Sequence, residues 1–330
     1  MCTTTLPVPA DTPSVLGTTK IGDVAVHEVA CALGRRGLWI ELGGASVHLR
    51  SDSPEFASQL HTVYTNLPFI TDGPWADVHL ELCRAGGLRR WLRPQVMLHC
   101  DGQIPFEPFP ADSPLPLFEW GCNWQIGHRL NDLLLLHAGA LERDGLALIL
   151  PAMPGSGKST LTAALSQRGW RLLSDEFGTF DPEQRVFRAM LKPIGLKNQS
   201  IEVIRKFAPG ARFGPEFPKT HKGRVAHLAA NLDSAQRRHQ TARPGAVVLP
   251  QWKAGSATLW QPLSEDAVFR SLAFNAFNYT VLGETGFNAV VHLVRQCPAW
   301  HLIYSDLDDA LATIDAAWPE VVARQSKAQA

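Results

Sequence analysis

The sequence predicts an α/β fold: a nucleotide-binding core in the second half, preceded by a β-rich α+β segment. Three observations predict it. From residue 134 to residue 176, an apolar run, a glycine-containing loop, a helically spaced stretch and a second short apolar run follow one another, the order strand, loop, helix, strand. The first 125 residues instead carry short alternating stretches punctuated by Gly and Pro, the pattern of strands and turns. Between the two, residues 105–116 hold five prolines, which reads as a linker or boundary. The chain thus divides into an N-terminal α+β domain, 1–125, of unassigned role, and a catalytic domain, 126–330.

The elements follow in order. Residues 21–29 and 38–49 contain alternating stretches, AVHEVA and SVHLR among them, as do 76–82 and 96–99. Residues 53–64 follow a capping serine and predict a helix. Residues 117–136, rich in Trp and Leu, read as mostly helical. In LLLLHAGALERDGLALILPAM two apolar runs flank a hairpin-like turn at 142–145. The loop 154–159 comes next, then a helix over 160–168 and a strand over 170–173. Further on, 246–249, 257–259 and 300–304 read as strands, and 265–279, 287–295 and 308–318 as helices.

Composition excludes several classes. Lys plus Arg equals Asp plus Glu at 31 each, so no overall field holds the chain on nucleic acid or an anionic membrane. A 45% hydrophobic content can bury a core. No apolar run approaches the roughly 18 residues of a membrane helix. The start, MCTTTLPVPADTP, lacks the basic and apolar regions of a secretory signal and reads as a loose arm. Six scattered cysteines form no C-x-x-C pair, which predicts reduced thiols in a cytoplasmic protein.

The strongest chemical signal is Ala152-Met-Pro-Gly-Ser-Gly-Lys-Ser159. It matches the Walker A pattern except that Ala152 replaces the first Gly. Gly155 and Gly157 let the backbone wrap so that several N–H groups face one anion, and the following helix adds its positive end. The candidate nucleotide contacts are Pro154, Gly155, Ser156, Gly157, Lys158, Ser159 and Thr160. Lys158 would lie between β- and γ-phosphates, and the Ser159 hydroxyl would ligate Mg²⁺.

Asp175 and Glu176 follow Lys158 by 17 and 18 residues, at the C-terminal end of the next apolar run. Ligands of open α/β sheets bind at that edge. On extended chain, neighbours point opposite ways, so one carboxylate can hold Mg²⁺ while the other takes a hydroxyl proton. His137 lies 21 residues before Lys158, inside an apolar run. It is either a satisfied core residue or a polar group tuning Asp175.

Together these residues resemble the catalytic domain of the HPr kinase/phosphorylase family, in particular its HPr-kinase-related branch, from His137 to Glu176. HAGAL resembles that family's H-G-x-x-x strand, PGSGKST its S-G-x-G-K-S loop, and RGWRLLSDE its R-G-H-x-L-x-x-D-D segment. The resemblance implies the compact P-loop kinase core shared with phosphoenolpyruvate carboxykinases. It implies ATP and Mg²⁺ as cofactors. It implies Asp175 as general base assisted by His137, Lys158 on the phosphates, Ser159 and Glu176 at the metal, and a protein serine as acceptor. The sequence departs from the family at Glu176, where the family has Asp, and at Trp170, where it has His. KPIGLKNQ, residues 192–199, is the nearest candidate for the family's I-R-G-L-G segment.

PKTHKGRVAH, residues 218–227, concentrates Lys219, Lys222 and Arg224. It is either a solvated loop or a mobile clamp in which Lys222 and Arg224 close over the γ-phosphate and acceptor. Lys192 and Lys197 carry the same two readings. The sequence thus predicts an ATP- and Mg²⁺-dependent kinase acting on a hydroxyl, a serine of a protein or peptide. The alternatives are a small-molecule kinase on the same core and a nucleotide-switch or ATPase module. A homo-oligomer is compatible with either.

Overall fold

Alternating burial builds a first sheet from β1 (Leu38–Glu41), β2 (Ser46–Ser51), β3 (Val78–Arg84), β4 (Gln95–Cys100) and β5 (Phe109–Pro110), side by side in chain order. β2 and β3 run parallel and the other neighbours antiparallel. Val78, Leu80 and Leu82 of β3 face the core. The structure, a computed structural model, describes residues 19–327 except Pro74, Trp91, Pro154 and His221. The N-terminal arm and Cys2 lie outside the described residues.

Two helices cover this sheet. The alternation in residues 21–29 predicts a strand, but the structure forms a 3₁₀ turn, Ile21–Asp23, and then α1 (Val26–Gly34). Val29 and Leu33, four residues apart, are its buried side chains, and the Glu28 carboxylate accepts the Ala25 N–H at 2.8 Å. A buried pair at helical spacing and a satisfied first turn outweigh a short period-two pattern. The expected helix at 53–64 is α2 (Pro54–Val63). Ser53 Oγ caps it by accepting from the Phe56 N–H at 3.2 Å.

The proline-rich stretch is not a linker. Phe109–Pro110 forms the edge strand β5, and Pro114 opens α3 (Pro114–Arg129). Proline suits both places because neither an edge nor a first helical turn needs its missing N–H. α3 stops at Arg129, short of the helix expected to residue 136, because Leu134 already belongs to a strand. Position 125 falls inside α3, which packs on β3 and β4.

The second sheet has eight strands. They are β6 (Leu134–Arg143), β7 (Leu146–Pro151), β8 (Arg171–Ser174), β9 (Phe177–Asp181), β10 (Val186–Arg188), β14 (Arg243–Trp252), β15 (Leu259–Pro262) and β16 (Ala299–Tyr304). Their order is β10-β9-β6-β7-β14-β16-β15, with β8 also on β6. β7, β14 and β16 are mutually parallel and the remaining neighbours antiparallel. A third sheet, in the order β11-β13-β12, consists of β11 (Ile194–Lys197), β12 (Phe213–Thr220) and β13 (Gly223–Leu228). The helices of this half are α4 (Lys158–Gln167), α5 (Gln199–Phe207), α6 (Leu232–Gln236), α7 (Glu265–Phe274), α8 (Tyr279–Leu282), α9 (Glu284–Gln296) and α10 (Leu307–Lys327).

The helix expected over 265–279 breaks after Phe274, and the reason is a sheet edge. The His137 N–H donates to the Asn275 carbonyl at 2.6 Å and the Phe277 N–H to the Leu135 carbonyl at 2.9 Å. Asn278 Oδ1 accepts from the Leu135 N–H at 3.0 Å. These bonds satisfy backbone groups of β6 beyond the reach of β7.

The buried apolar residues of both halves form one contiguous cluster. The halves also share backbone bonds, Gly44 N–H to Ala189 at 2.6 Å and Leu191 N–H to Leu42 at 2.9 Å, and the ion pair Arg238–Glu41 at 2.7 Å. Among the described residues no helix is long and apolar enough to cross a membrane.

Candidate active site

The glycine loop runs from the end of β7 into α4. Gly157 has φ +90°, and a Cβ there would lie 2.7 Å from Tyr304 Oη and 2.9 Å from Trp252 Cβ. The position therefore demands glycine on both counts. The loop is held from β14 and β16: the Trp252 N–H donates to the Ser156 carbonyl at 2.8 Å and Tyr304 Oη to the Gly157 carbonyl at 3.2 Å. Ser156 Oγ is buried without a partner among the described residues. The first-turn amides of α4 have no acceptor inside the helix. At Gly139 a Cβ would meet Thr162 Oγ1 at 2.3 Å, so the glycine of HAGAL lets α4 lie directly on β6. Ala152 is buried. Pro154 lies outside the described residues.

The carboxylates occupy a gap in a ladder. β8 and β9 are consecutive pieces lying antiparallel along β6, with Ser174 opposite Ala140 and Phe177 opposite His137. Asp175 and Glu176 fall between these pairs. Ser174 Oγ holds the break by accepting from the Glu176 N–H at 3.2 Å and the Phe177 N–H at 3.0 Å. Because β6 is antiparallel to both β7 and β8, the ends of β7 and β8 emerge at one edge. The glycine loop and the carboxylates therefore meet.

Asp175 is 7% exposed and Lys158 8%. Lys158 Nζ donates to the Asp175 backbone carbonyl and lies 3.2 Å from Asp175 Oδ1. The Ser159 hydroxyl lies near enough to favour the ionised Asp175 carboxylate. Burial pushes the Asp175 carboxyl above its ordinary value, against the pull of Lys158. Glu176 is more open. Burial pushes it upward too, but Lys158, His137, Lys192 and Lys222 outweigh that push and hold it below the ordinary value.

His137 Nδ1 lies 3.8 Å from Glu176 Oε1, so the structure sets His137 beside Glu176. Its ring stands edge-on to Phe277 at 5.8 Å. Burial, reinforced by Lys158, lowers its pKa and favours the neutral imidazole.

These groups open into a cavity of about 1180 Å³. Lys192, Lys197 and Lys222 line it, as do Glu119, Trp120 and Asn123 of α3. The expected basic loop at 218–227 is instead the β12–β13 hairpin, with Thr220 paired to Gly223 and Phe217 to Val225. Thr220 Oγ1 tightens its turn by accepting from the Lys222 N–H at 3.1 Å. Lys222 Nζ sits 5.6 Å from the centre of the Trp120 ring. Arg224 is not brought to the cavity: its guanidinium lies 3.1 Å from Glu202 and 3.3 Å from Glu216. KPIGLKNQ supplies β11, placing Lys197 at the cavity. Trp170 is core, 1% exposed, with Trp318 at 4.5 Å and the Arg143 guanidinium over its ring.

No family model matches the chain, and no curated protein matches it. Among solved structures it is similar to the Hpr(Ser) kinase/phosphatase from Coxiella burnetii, with a TM-score of 0.23 and 11% identity, over 54% of this chain and 90% of that one.

Among the described residues no group of three or more His, Cys, Asp or Glu side chains suits a metal ion. Ser159 with Asp175 and Glu176 instead offers a hydroxyl and carboxylates beside the glycine loop. That donor set fits Mg²⁺, which takes one or two carboxylates and completes its shell with phosphates and waters. The sequence reading missed Glu119, Trp120, Asn123, His227, Trp252 and Tyr304. Only Gly157 hinted at the last two, through the close approach it permits.

Proposed function

We propose that the chain is an ATP- and Mg²⁺-dependent phosphotransferase that moves the γ-phosphoryl group to a hydroxyl. The observation that carries this reading is the meeting of Lys158 with Asp175 at 3.2 Å, beside the glycine loop. A nucleotide switch needs no proton acceptor there; transfer to a hydroxyl does.

On this reading the amides of residues 155–160 and Lys158 hold the β- and γ-phosphates, and Ser159 with a carboxylate holds Mg²⁺. When bound, the metal neutralises charge on the phosphate oxygens. Asp175 takes the acceptor's proton as that oxygen bonds to phosphorus and the bond to ADP breaks, its electron pair leaving with ADP. A carboxyl raised by burial is the better base. Glu176, open to the cavity beside His137, is the alternative base. Lys197 and Lys222 have no carboxylate within 4.0 Å among the described residues and offset charge on the transferred group. Residues 126–330 hold this machinery, while 1–125 belong to an α+β unit whose last helix reaches the cavity.

The resemblance to HPr kinases proposes a protein or peptide serine as acceptor. A small-molecule hydroxyl is the second reading, favoured by the polar side chains that α3 adds to the cavity lining. Label from γ-labelled ATP, followed in a native lysate, should appear on a serine peptide or a metabolite and vanish with Lys158→Ala. Label released only to water would leave an ATPase, and equal transfer by Lys158→Ala would discard the loop assignment.

A further inference from the structure

Besides the glycine loop and its carboxylates, the cavity has a second cluster, or pole, of side chains. It comprises Glu119, Trp120 and Asn123 of α3 with Lys192 and His227. Glu119 is 5% exposed and Lys192 6%. The Glu119 carboxylate accepts from Tyr64 Oη at 2.7 Å and from Lys192 Nζ at 3.1 Å. The two buried charges offset each other, and the cation beside them, Lys222 next to the Trp120 ring, is the one assigned above to the transferred group.

Two polar atoms here lack any partner among the described residues: Asn123 Oδ1 and His227 Nδ1. His227 is 4% exposed, and burial keeps its imidazole neutral. Buried polar atoms are ordinarily hydrogen-bonded, and an exception calls for a ligand or water. An amide and a neutral imidazole each combine a donor with an acceptor. A hydroxyl group matches both. The Trp120 ring adds an apolar wall of the kind that small-molecule pockets use.

We propose that this pole binds the phosphoryl acceptor, and that the acceptor is a small, uncharged polyhydroxyl compound held by Asn123 and His227. The proposal rests on the kinase reading for the fate of the bound hydroxyl, but not for binding itself. A serine on a folded protein brings one hydroxyl to the surface and leaves Asn123 and His227 unmatched.

Saturation-transfer NMR with the full chain, using myo-inositol, D-glucose and D-ribose as probes, tests this with and without MgATP. Gluconate and a serine peptide serve as charged and peptidic comparators. At least one neutral polyol should give a signal. Asn123→Leu and His227→Phe should each weaken its binding about tenfold, the worth of one hydrogen bond. Melting curves check that both variants fold, and Trp120→Ala, at a less buried position, serves if either does not. No polyol signal, a signal indifferent to these variants, or binding of the serine peptide alone would each overturn the proposal. Polyol binding without MgATP binding would keep the subsite and remove the kinase reading.

Discussion

The two walls of the cavity are built in opposite ways. The loop wall comes from forty consecutive residues, His137 to Glu176, folded as β6, β7, α4 and β8. The far wall gathers Glu119, Lys192, Lys222 and His227 from a helix, a loop and a hairpin spread over more than a hundred positions. On the proposed reading the backbone does the binding in the first wall, so glycine positions and strand ends are fixed. In the second, side chains would do it, and they depend on the docking of the two halves.

The contrast breaks most directly at its ends. Asp175→Asn should keep MgATP affinity and lower turnover by about 10²–10⁴-fold, measured as single-turnover transfer. Glu176→Gln is the control. If Glu176→Gln loses that factor and Asp175→Asn does not, the base is the residue beside His137. In the far wall, Glu119→Ala leaves Lys192 buried without its partner. It should destabilise the fold by about 3–5 kcal/mol in denaturant titrations. The double change Glu119→Leu with Lys192→Met should recover much of that, and failure to do so would mean that the pair is more than structural. A smaller effect is expected in the hairpin. Lys222→Ala should lower turnover about tenfold, below the loss of a full oxyanion donor, whereas Arg224→Ala should leave turnover unchanged. Equal effects from the two would undo the distinction drawn from their different surroundings.

The smallest effect concerns the seam between the halves. Glu41 receives His239, at 3.3 Å, and Arg238, at 2.7 Å. The His239 hydrogen bond, with that of Arg238, outweighs burial and lowers the carboxyl from 4.5 to about 2. A folded-state pKa below the unfolded one stabilises the fold above pH 4.5, and that stability is lost as pH falls toward 2. Glu41→Gln should flatten this part of the stability profile; an unchanged profile would remove Glu41 from the seam's acid response.

How much could be read in advance follows the same division. Hydrophobic period and glycine spacing placed β6, β7, α4 and β8, because each is set by residues within a few positions. The alternating signal at 21–29 misled because Val29 and Leu33 are satisfied by a helix, a choice made by packing. The helix over 265–279 was cut by hydrogen bonds from β6, more than a hundred residues earlier. Prolines at 105–116 suggested a linker, yet Pro114 opens a helix that lines the cavity. Arg224 and Lys222 are two positions apart in sequence, but Lys222 sits in the hairpin turn beside Trp120 while Arg224, on β13, pairs with Glu202 and Glu216. Nothing local to Asn123 or His227 marks them, since what sets them apart is a missing partner.

α3 packs on the five-stranded sheet and lines the cavity with a turn near its middle, and on the proposed reading this sets how the scaffold can diversify. Handling of the phosphoryl donor is written in one continuous stretch that tolerates little change. Selection of the recipient is written elsewhere, on a turn of α3 together with His227, and Trp120 and Asn123 can drift without disturbing that stretch. New recipients are therefore within reach of a few substitutions in the first half of the chain, with the transfer chemistry inherited intact.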